Sequence, residues 1–229
     1  MGCGPSTWRY YVIPKPGKPY VWPTWITGLL AGTDKCQWRA WVKSRYRYEK
    51  RQETPDDKAR LEGWVKIHDQ MVLDRAARER AQGRTVRIED ENSFRLEGST
   101  ATVGGKPDIV IIEGDKQACV VDEKSGKVKE QYIWQVLIYM FAFKVLRQNT
   151  WKVRGEIEYT SNFIVPIAPE QLNKESQAKI GEVLQMIGRA EAPPTTPSKW
   201  ECLYCDVIEC PDRFRDVPEP EVADATQHF

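Results

Sequence analysis

The chain has 229 residues, 41% hydrophobic and 29% charged, with a formal net charge of +1. That composition is ordinary for a globular protein and excludes the disordered and collagen-like classes, while the length favours one embellished domain over two independent ones. No run of 18 apolar residues occurs and the first residues lack the apolar segment of a secretory leader, so the expectation is a cytoplasmic protein with no membrane partner.

Residues 1–32 carry several prolines and glycines together with Tyr10, Tyr20, Trp22 and Trp25, and read as an irregular arm packed on the body, with a short helix starting near Thr24. Its opening, MGCGPS, fits the myristoylation pattern through Gly2 and Ser6, a short motif that recurs by chance and is set aside. Helical spacing of Trp38, Trp41 and Val42 marks the segment Lys35 to Gln52. It resumes from Asp56 to Gln82 through Leu61, Trp64, Val65, Ile67, Met71 and Val72. Pro55 after Thr54 suits a helix start.

From Arg84 to Asp122 the texture changes to β-branched runs, TVRIED, STATVGG, PDIVIIEG and QACVVDEK, separated by turn residues. These predict an antiparallel meander. Lys129 to Arg147 reads as one long helix, Arg154 to Ile167 as two strands, and Pro169 to Arg189 as a further helix. The proline-rich APPTTPSKW ends the helical pattern and leads into ECLYCDVIEC, after which an acidic tail spans residues 213–229.

The chemistry concentrates in GKPDIVIIEGDKQACVVDEKSGK. Pro107-Asp108 opens one apolar strand, Asp122-Glu123-Lys124 closes the next, and a tight turn at Gly114 should pair them. Side chains alternate along a strand, so Asp122 and Lys124 share one face and Glu123 points to the other. Charges at the ends of apolar runs need partners or a metal. Two carboxylates and a main-chain carbonyl suffice to hold Mg²⁺ against a phosphate, and Lys124 would then orient water or offset growing charge. Solvated strand-end charges are the plainer alternative. Pro55-Asp56-Asp57-Lys58 has similar letters but lacks the apolar strands.

Two further features stand on spacing. Gln131, Gln135 and Tyr139 fall on one face of a helix otherwise crowded with apolar residues. Cys202-x-x-Cys205-x4-Cys210 is a compact set of thiols suited to zinc or to an iron–sulfur cluster. Six cysteines in a reducing compartment fit thiols or ligands better than disulfides. Cys119 alternates into an apolar strand and Cys3 reads as an unpaired terminal thiol.

Pro107-Asp108, then Asp122-x-Lys124 after a hairpin, then Gln135-x-x-x-Tyr139 on the following helix, resemble the PD-(D/E)xK nucleases of the RecB type. With Cys36 early and Cys202, Cys205 and Cys210 late, the nearest resemblance is to the iron–sulfur branch. That branch includes the CRISPR-associated RecB-like exonucleases of spacer acquisition and the AddB nuclease domain. The resemblance covers roughly residues 33–212. It implies an α/β fold with a restriction-endonuclease-like core, a mixed sheet flanked by helices, and an iron–sulfur-stapled helical cap. It also implies Asp108, Asp122 and the Glu123 carbonyl as ligands of Mg²⁺ or Mn²⁺, with Lys124 catalytic. His68, one of two histidines, would be a further ligand, and Gln135 and Tyr139 would touch Lys124 or the DNA backbone. Where the family more often has Glu, this chain has Asp122. Cys36, Cys202, Cys205 and Cys210 would bind a 4Fe-4S cluster, with zinc the alternative.

Between Arg39 and Arg51 six basic residues interleave with Trp41, Tyr46 and Tyr48. That mixture suits single-stranded DNA, where cations track phosphate and rings stack on bases; a solvated helix face competes equally. The expected activity is hydrolysis of DNA from single-stranded ends, alongside CRISPR adaptation proteins or a helicase. The rivals are a non-cleaving DNA end-binding module and a zinc-stapled adaptor.

Overall fold

The computed structural model describes residues 13–214. The MGCGPS start, Cys3, Tyr10 and the acidic tail from residue 215 lie outside them.

In chain order the elements are β1 (Ile13–Pro14), β2 (Tyr20–Val21), a 3₁₀ turn (Pro23–Trp25), α1 (Thr27–Ala31), α2 (Gln37–Arg45), β3 (Tyr46–Arg47) and α3 (Pro55–Ala81). There follow β4 (Thr85–Ile88), β5 (Phe94–Glu97), β6 (Thr102–Gly105), β7 (Ile109–Gly114), β8 (Gln117–Lys124) and α4 (Gln131–Leu146). The chain continues with β9 (Lys152–Tyr159), β10 (Ile164–Ile167), α5 (Lys174–Gly188) and α6 (Lys199–Leu203).

The central sheet has five strands in the order β10-β9-β8-β7-β4. It is mixed: β8 and β9 run parallel, joined across α4, and the other neighbours are antiparallel. This agrees with the expected mixed sheet. Alternation then divides the side chains between two layers. Val110, Ala118, Val120, Val153 and Ile157 meet Val136, Leu137 and Met140 of α4. Ile109, Ile111, Cys119 and Val121 meet Val72 and Ala76 of α3. Cys119 is thus a core residue, as its strand position suggested. α4 lies close on the sheet because β9 has Gly155 at the crossing; a Cβ there would collide with Val136 and Met140.

The meander did not hold as one sheet. β5 and β6 form a separate small sheet with β2, in the order β2-β6-β5, and only β4, β7 and β8 share the central one. Pro107 supplies the reason: it has no N–H for a ladder and restricts Lys106 before it, so the chain leaves one sheet at Gly105 and enters the other at Ile109. β5, in the sequence FRLE, escaped the reading altogether because four residues with two charges carry little β signal.

The helix read over Lys35 to Gln52 stops at Arg45, and Arg47 instead pairs with Ile13 of β1. Tyr46, Arg47 and Tyr48 alternate in a strand-like way, and Arg45 is spent on tertiary contacts: its guanidinium donates to the carbonyls of Ile187 and Gly188 at the end of α5. Those carbonyls have no partner within their own helix. Residues 20–31 contribute Val21, Ile26 and Leu30 to the core, all fully buried.

α3 starts at a capping box in which the Thr54 hydroxyl accepts from Asp57 N–H and the Asp57 carboxylate accepts in return. The PDDK decoy is therefore a helix cap. Only the second half of α3 covers the sheet; Leu61, Trp64, Val65 and Ile67, periodic though they are, stay largely exposed. Toward its end Arg75, 5% exposed, is clamped by Glu79 on its own helix and by Glu156 and Glu158 of β9, at 2.9, 2.7 and 2.5 Å. Arg154 joins Glu156 to Glu113, Arg84 meets Glu79, and Arg78 meets Glu158. No described helix is long and apolar enough to cross a membrane.

Candidate active site

β7 starts directly after Asp108 and β8 ends at Lys124, so the register Ile109↔Val121 brings Asp108 beside residues 122 and 123. Asp108 Oδ2 accepts the Glu123 backbone N–H at 2.8 Å and lies 3.1 Å from His68 Nε2, which α3 delivers from the other side. Asp122 is fully buried. Its Oδ2 pairs with Lys124 Nζ at 2.6 Å, and its Oδ1 accepts from Gln135 Nε2 at 2.9 Å. Two pairs, His68 with Asp108 and Lys124 with Asp122, thus stand at the adjoining ends of two apolar strands, linked through the Glu123 backbone N–H.

Burial pushes the Asp122 carboxyl upward, and the positive charge of Lys124 works against that. For Lys124 burial disfavours the ammonium, but Asp122 and Asp108 outweigh it and its pKa ends above the usual lysine value. The ammonium also sits 4.8 Å from the centre of the Tyr132 ring. His68 is raised to about 9, chiefly by its hydrogen bond to Asp108, so the imidazole is protonated at neutral pH.

Glu123 faces the α3 layer, as alternation requires. It is 1% exposed and neither carboxyl oxygen has a hydrogen-bond partner among the described residues. Burial, reinforced by the nearby charge of Glu158, pushes it up to about 8, so this acid is protonated and neutral at pH 7.

The polar stripe of α4 turns inward. Gln135 and Tyr139 are buried, and Gln135 Nε2 donates to Tyr139 Oη at 3.1 Å as well as to Asp122. Gln135 thus holds Asp122, and Tyr139 holds Gln135. Gln131, at the first residue of α4, is half-buried. Phe94 stacks edge-on to Tyr139 at 6.0 Å, and Gly105 of β6 leaves the space both rings need.

Two acids near His68 went unnoticed in the sequence. Ligand atoms of His68, Asp69 and Glu89 converge within 4.8 Å of one another. Glu89 follows β4 directly, with an unusual positive φ of 43°, and its N–H donates to the Asp108 carbonyl at 2.8 Å. Asp69 needed only its adjacency to His68; Glu89 needed the pairing of β4 with β7, which a linear reading does not supply.

Cys36, Cys205 and Cys210 share one apolar cluster with Trp38, Trp41, Val42 and Val207, and Cys202 is buried beside them. Burial pushes the Cys210 thiol up to about 11, and Cys36, Cys205 and Cys202 are all close enough to add to that. All four are free thiols. Other bonds fasten the same junction: Glu201 accepts the N–H groups of Lys35 and Cys36, Asp206 takes Lys43 and the Tyr48 hydroxyl, and Arg213 donates to the carbonyls of Cys205 and Val207. Four thiols from two distant stretches are a donor set suited to a thiophilic centre.

Within the basic stretch much of the charge is used internally. Arg39 pairs with Asp34, Lys43 with Asp206, Arg45 caps α5, and Trp41 is a core residue donating its indole N–H to Arg189 O. Arg47, Lys50 and Arg51 remain at the surface.

Comparison with known proteins gives one clear result. A family model described as the PD-(D/E)XK nuclease superfamily matches residues 30–210. No curated protein matches the sequence. A solved structure described as "Crystal structure of SSO0001" is similar at 15% identity over 87% of this chain and 89% of that one, with a TM-score of 0.49, a likeness too loose to bear on function. The matched residues make up most of the chain and include both the carboxylate–lysine cluster and the four gathered cysteines: the chain belongs to the PD-(D/E)XK nuclease superfamily.

Proposed function

We propose that the protein is a metal-dependent deoxyribonuclease that trims single-stranded DNA ends, with a 4Fe-4S cluster fastening its C-terminal segment to α2. The observation that carries this reading is the convergence of Asp108, Asp122 and Lys124 at the paired ends of β7 and β8.

Asp108, Asp122, the main-chain carbonyl of Glu123 and His68 would hold the divalent cation. The donor types suit a divalent cation, with two carboxylates at adjoining strand ends and an imidazole 3.1 Å from the Asp108 carboxylate, and that nitrogen favours Mn²⁺ over Mg²⁺. When bound, such an ion supplies Lewis acidity and a stronger water nucleophile. Lys124, pinned between Asp122 and Tyr132, places a fixed positive charge where the scissile phosphate gains negative charge. Gln135 is a positioning residue that fixes one oxygen of Asp122 while Lys124 pairs with the other, and Tyr139 acts through Gln135.

His68 makes metal binding sensitive to pH. As a protonated imidazole bonded to Asp108 it would compete with a cation for that carboxylate, and a ligand must lose its proton before it coordinates. Below a pKa of about 9 the proton competes, so the half-saturating Mn²⁺ concentration should fall by up to about tenfold per pH unit between neutral pH and that value. A thermal-shift titration with Mn²⁺ at a series of pH values measures this. His68→Ala should flatten the dependence; an equally steep curve in that variant removes His68 from the ligand set.

The clasp reading rests on the four free thiols at the junction of α2 with the C-terminal segment. Zinc is the second reading, since the thiols suit either centre. Protein purified without oxygen should be brown if it holds the cluster, and colourless with bound zinc if it does not. In a CRISPR setting the activity would trim new spacers beside adaptation proteins; beside a helicase it would process ends in recombination or repair.

The decisive assay incubates end-labelled single-stranded DNA with the protein in Mn²⁺, in Mg²⁺ and in EDTA. Shortening with metal and none in EDTA is expected. DNA left intact under every condition would favour the non-cleaving end-binding module.

A further inference from the structure

A recess of about 530 Å³ lies away from the carboxylates, where β2 and the residues before it meet the outer face of the small sheet. Among its walls are Lys15, Lys18, Arg47 and Arg95, and the single acidic residue there is Glu97. Glu97 is already engaged, accepting from Thr102 Oγ1 and Arg95 Nε at 2.7 Å each. Positive charge is therefore left over, and it is crowded: burial and the neighbouring charges of Arg47, Lys43 and Lys50 depress the Lys15 pKa. Cations set so close that they disfavour one another are stabilised by an anion.

The same walls carry flat rings. Trp22 is 41% exposed and meets Tyr20 edge-on at 6.0 Å. Lys15 Nζ lies 5.1 Å from the centre of the Trp25 ring and the Arg95 guanidinium 5.6 Å from that of Tyr20. Interleaved cations and rings match a polyanion with exposed planar groups, in which phosphates meet charge and bases stack. An acidic peptide would use the charge and leave the exposed indole idle. A duplex keeps its bases stacked inside. The volume lies within the range of small-molecule sites and admits a nucleotide.

We propose that this recess is an accessory binding site for single-stranded DNA, in which Arg47 and Lys15 hold backbone phosphate and Trp22 stacks on a base. The proposal rests on DNA being the substrate. β6 connects it to the reaction: Gly104 faces the Tyr20 hydroxyl in the recess, and the next residue, Gly105, faces Tyr139 behind Asp122. Successive residues of a strand face opposite ways, so one strand backs both sites. A DNA strand seated in the recess would keep a long substrate attached while its end is exchanged at the carboxylates.

The test is fluorescence anisotropy with a labelled oligothymidylate of about 20 nucleotides, longer than the ~4–16 nucleotides an ordinary single-strand site covers, using the full chain in EDTA so that nothing is cut. Trp22→Ala and Arg47→Ala should each weaken binding by about fivefold or more, and Trp22→Phe should keep most of the affinity, because a ring remains to stack. Arg47→Ala should also lower the salt dependence by about one phosphate contact. A duplex of equal length should lose less than about twofold on Trp22→Ala, since it offers no free base to the indole. Wild-type affinity for the oligonucleotide in both alanine variants would overturn the proposal, as would equal losses for single strand and duplex. Should Trp22→Ala melt early, the exposed Arg47→Ala decides alone. Because no metal is present, weakened variants of a protein that never cuts DNA would keep the recess and discard the nuclease; unchanged variants of a protein that does cut would discard the recess alone.

Discussion

Asp108→Asn and Lys124→Ala are each expected to lower metal-dependent cleavage of single-stranded DNA by about 10³-fold, near the upper effect of removing one preorganised electrostatic group. The reasons differ. Asparagine keeps an oxygen for the Glu123 N–H, so the strand ends stay joined, but it removes the negative charge that a cation needs. Lys124→Ala leaves Asp122 buried with no ammonium beside it, which drives that carboxyl further toward its neutral form. Circular dichroism should report folded protein in both cases. Rates within tenfold of the wild type for both would end the assignment of this cluster as the active site.

Arg75→Met should be the most damaging change to stability away from the reacting groups, at about 3–5 kcal/mol, the usual loss when one partner of a buried ion network is removed. Arg75 serves Glu79, Glu156 and Glu158 at once from a position 5% exposed. Methionine fills the volume but takes away the one cation shared by the three acids, leaving Glu79, Glu156 and Glu158 each with only a more exposed arginine, Arg84, Arg154 or Arg78. For a chain of this size the melting temperature should drop by roughly 10 °C. Arg75→Lys should rescue little, because one ammonium cannot copy the planar fork that reaches three acids. A melting temperature within about 2 °C of the wild type, against that expected drop, would mean that water already screens the network.

How much of this was readable in the sequence depends on the range of the interactions. The β7–β8 hairpin was, since two apolar runs flank a turn at Gly114 and alternation alone sets Asp122 and Lys124 on one face. The same holds for α4 and for the compact cysteine triplet. The small sheet was not, because Thr102–Gly105 pairs with Tyr20–Val21 across most of the N-terminal region and nothing local announces a parallel partner. The Arg75 network was invisible for a similar reason: Glu156 and Glu158 look like solvated strand residues until the parallel pairing of β9 with β8 turns them toward α3. In the basic, aromatic stretch the residue types gave no means of separating Trp41, which is core, from Arg47, which is surface.

Gly155 shows how far the demands of the chemistry extend. The missing side chain lets Val136 and Met140 settle directly onto β9, and Gln135, next along the same helix, hangs over Asp122 at the height this seating allows. A methyl group at that spot would act as a shim, tilting the helix and slackening its grip on the acid. A position on the neighbouring strand is thereby tied to the seating of Asp122 through nothing more than clearance.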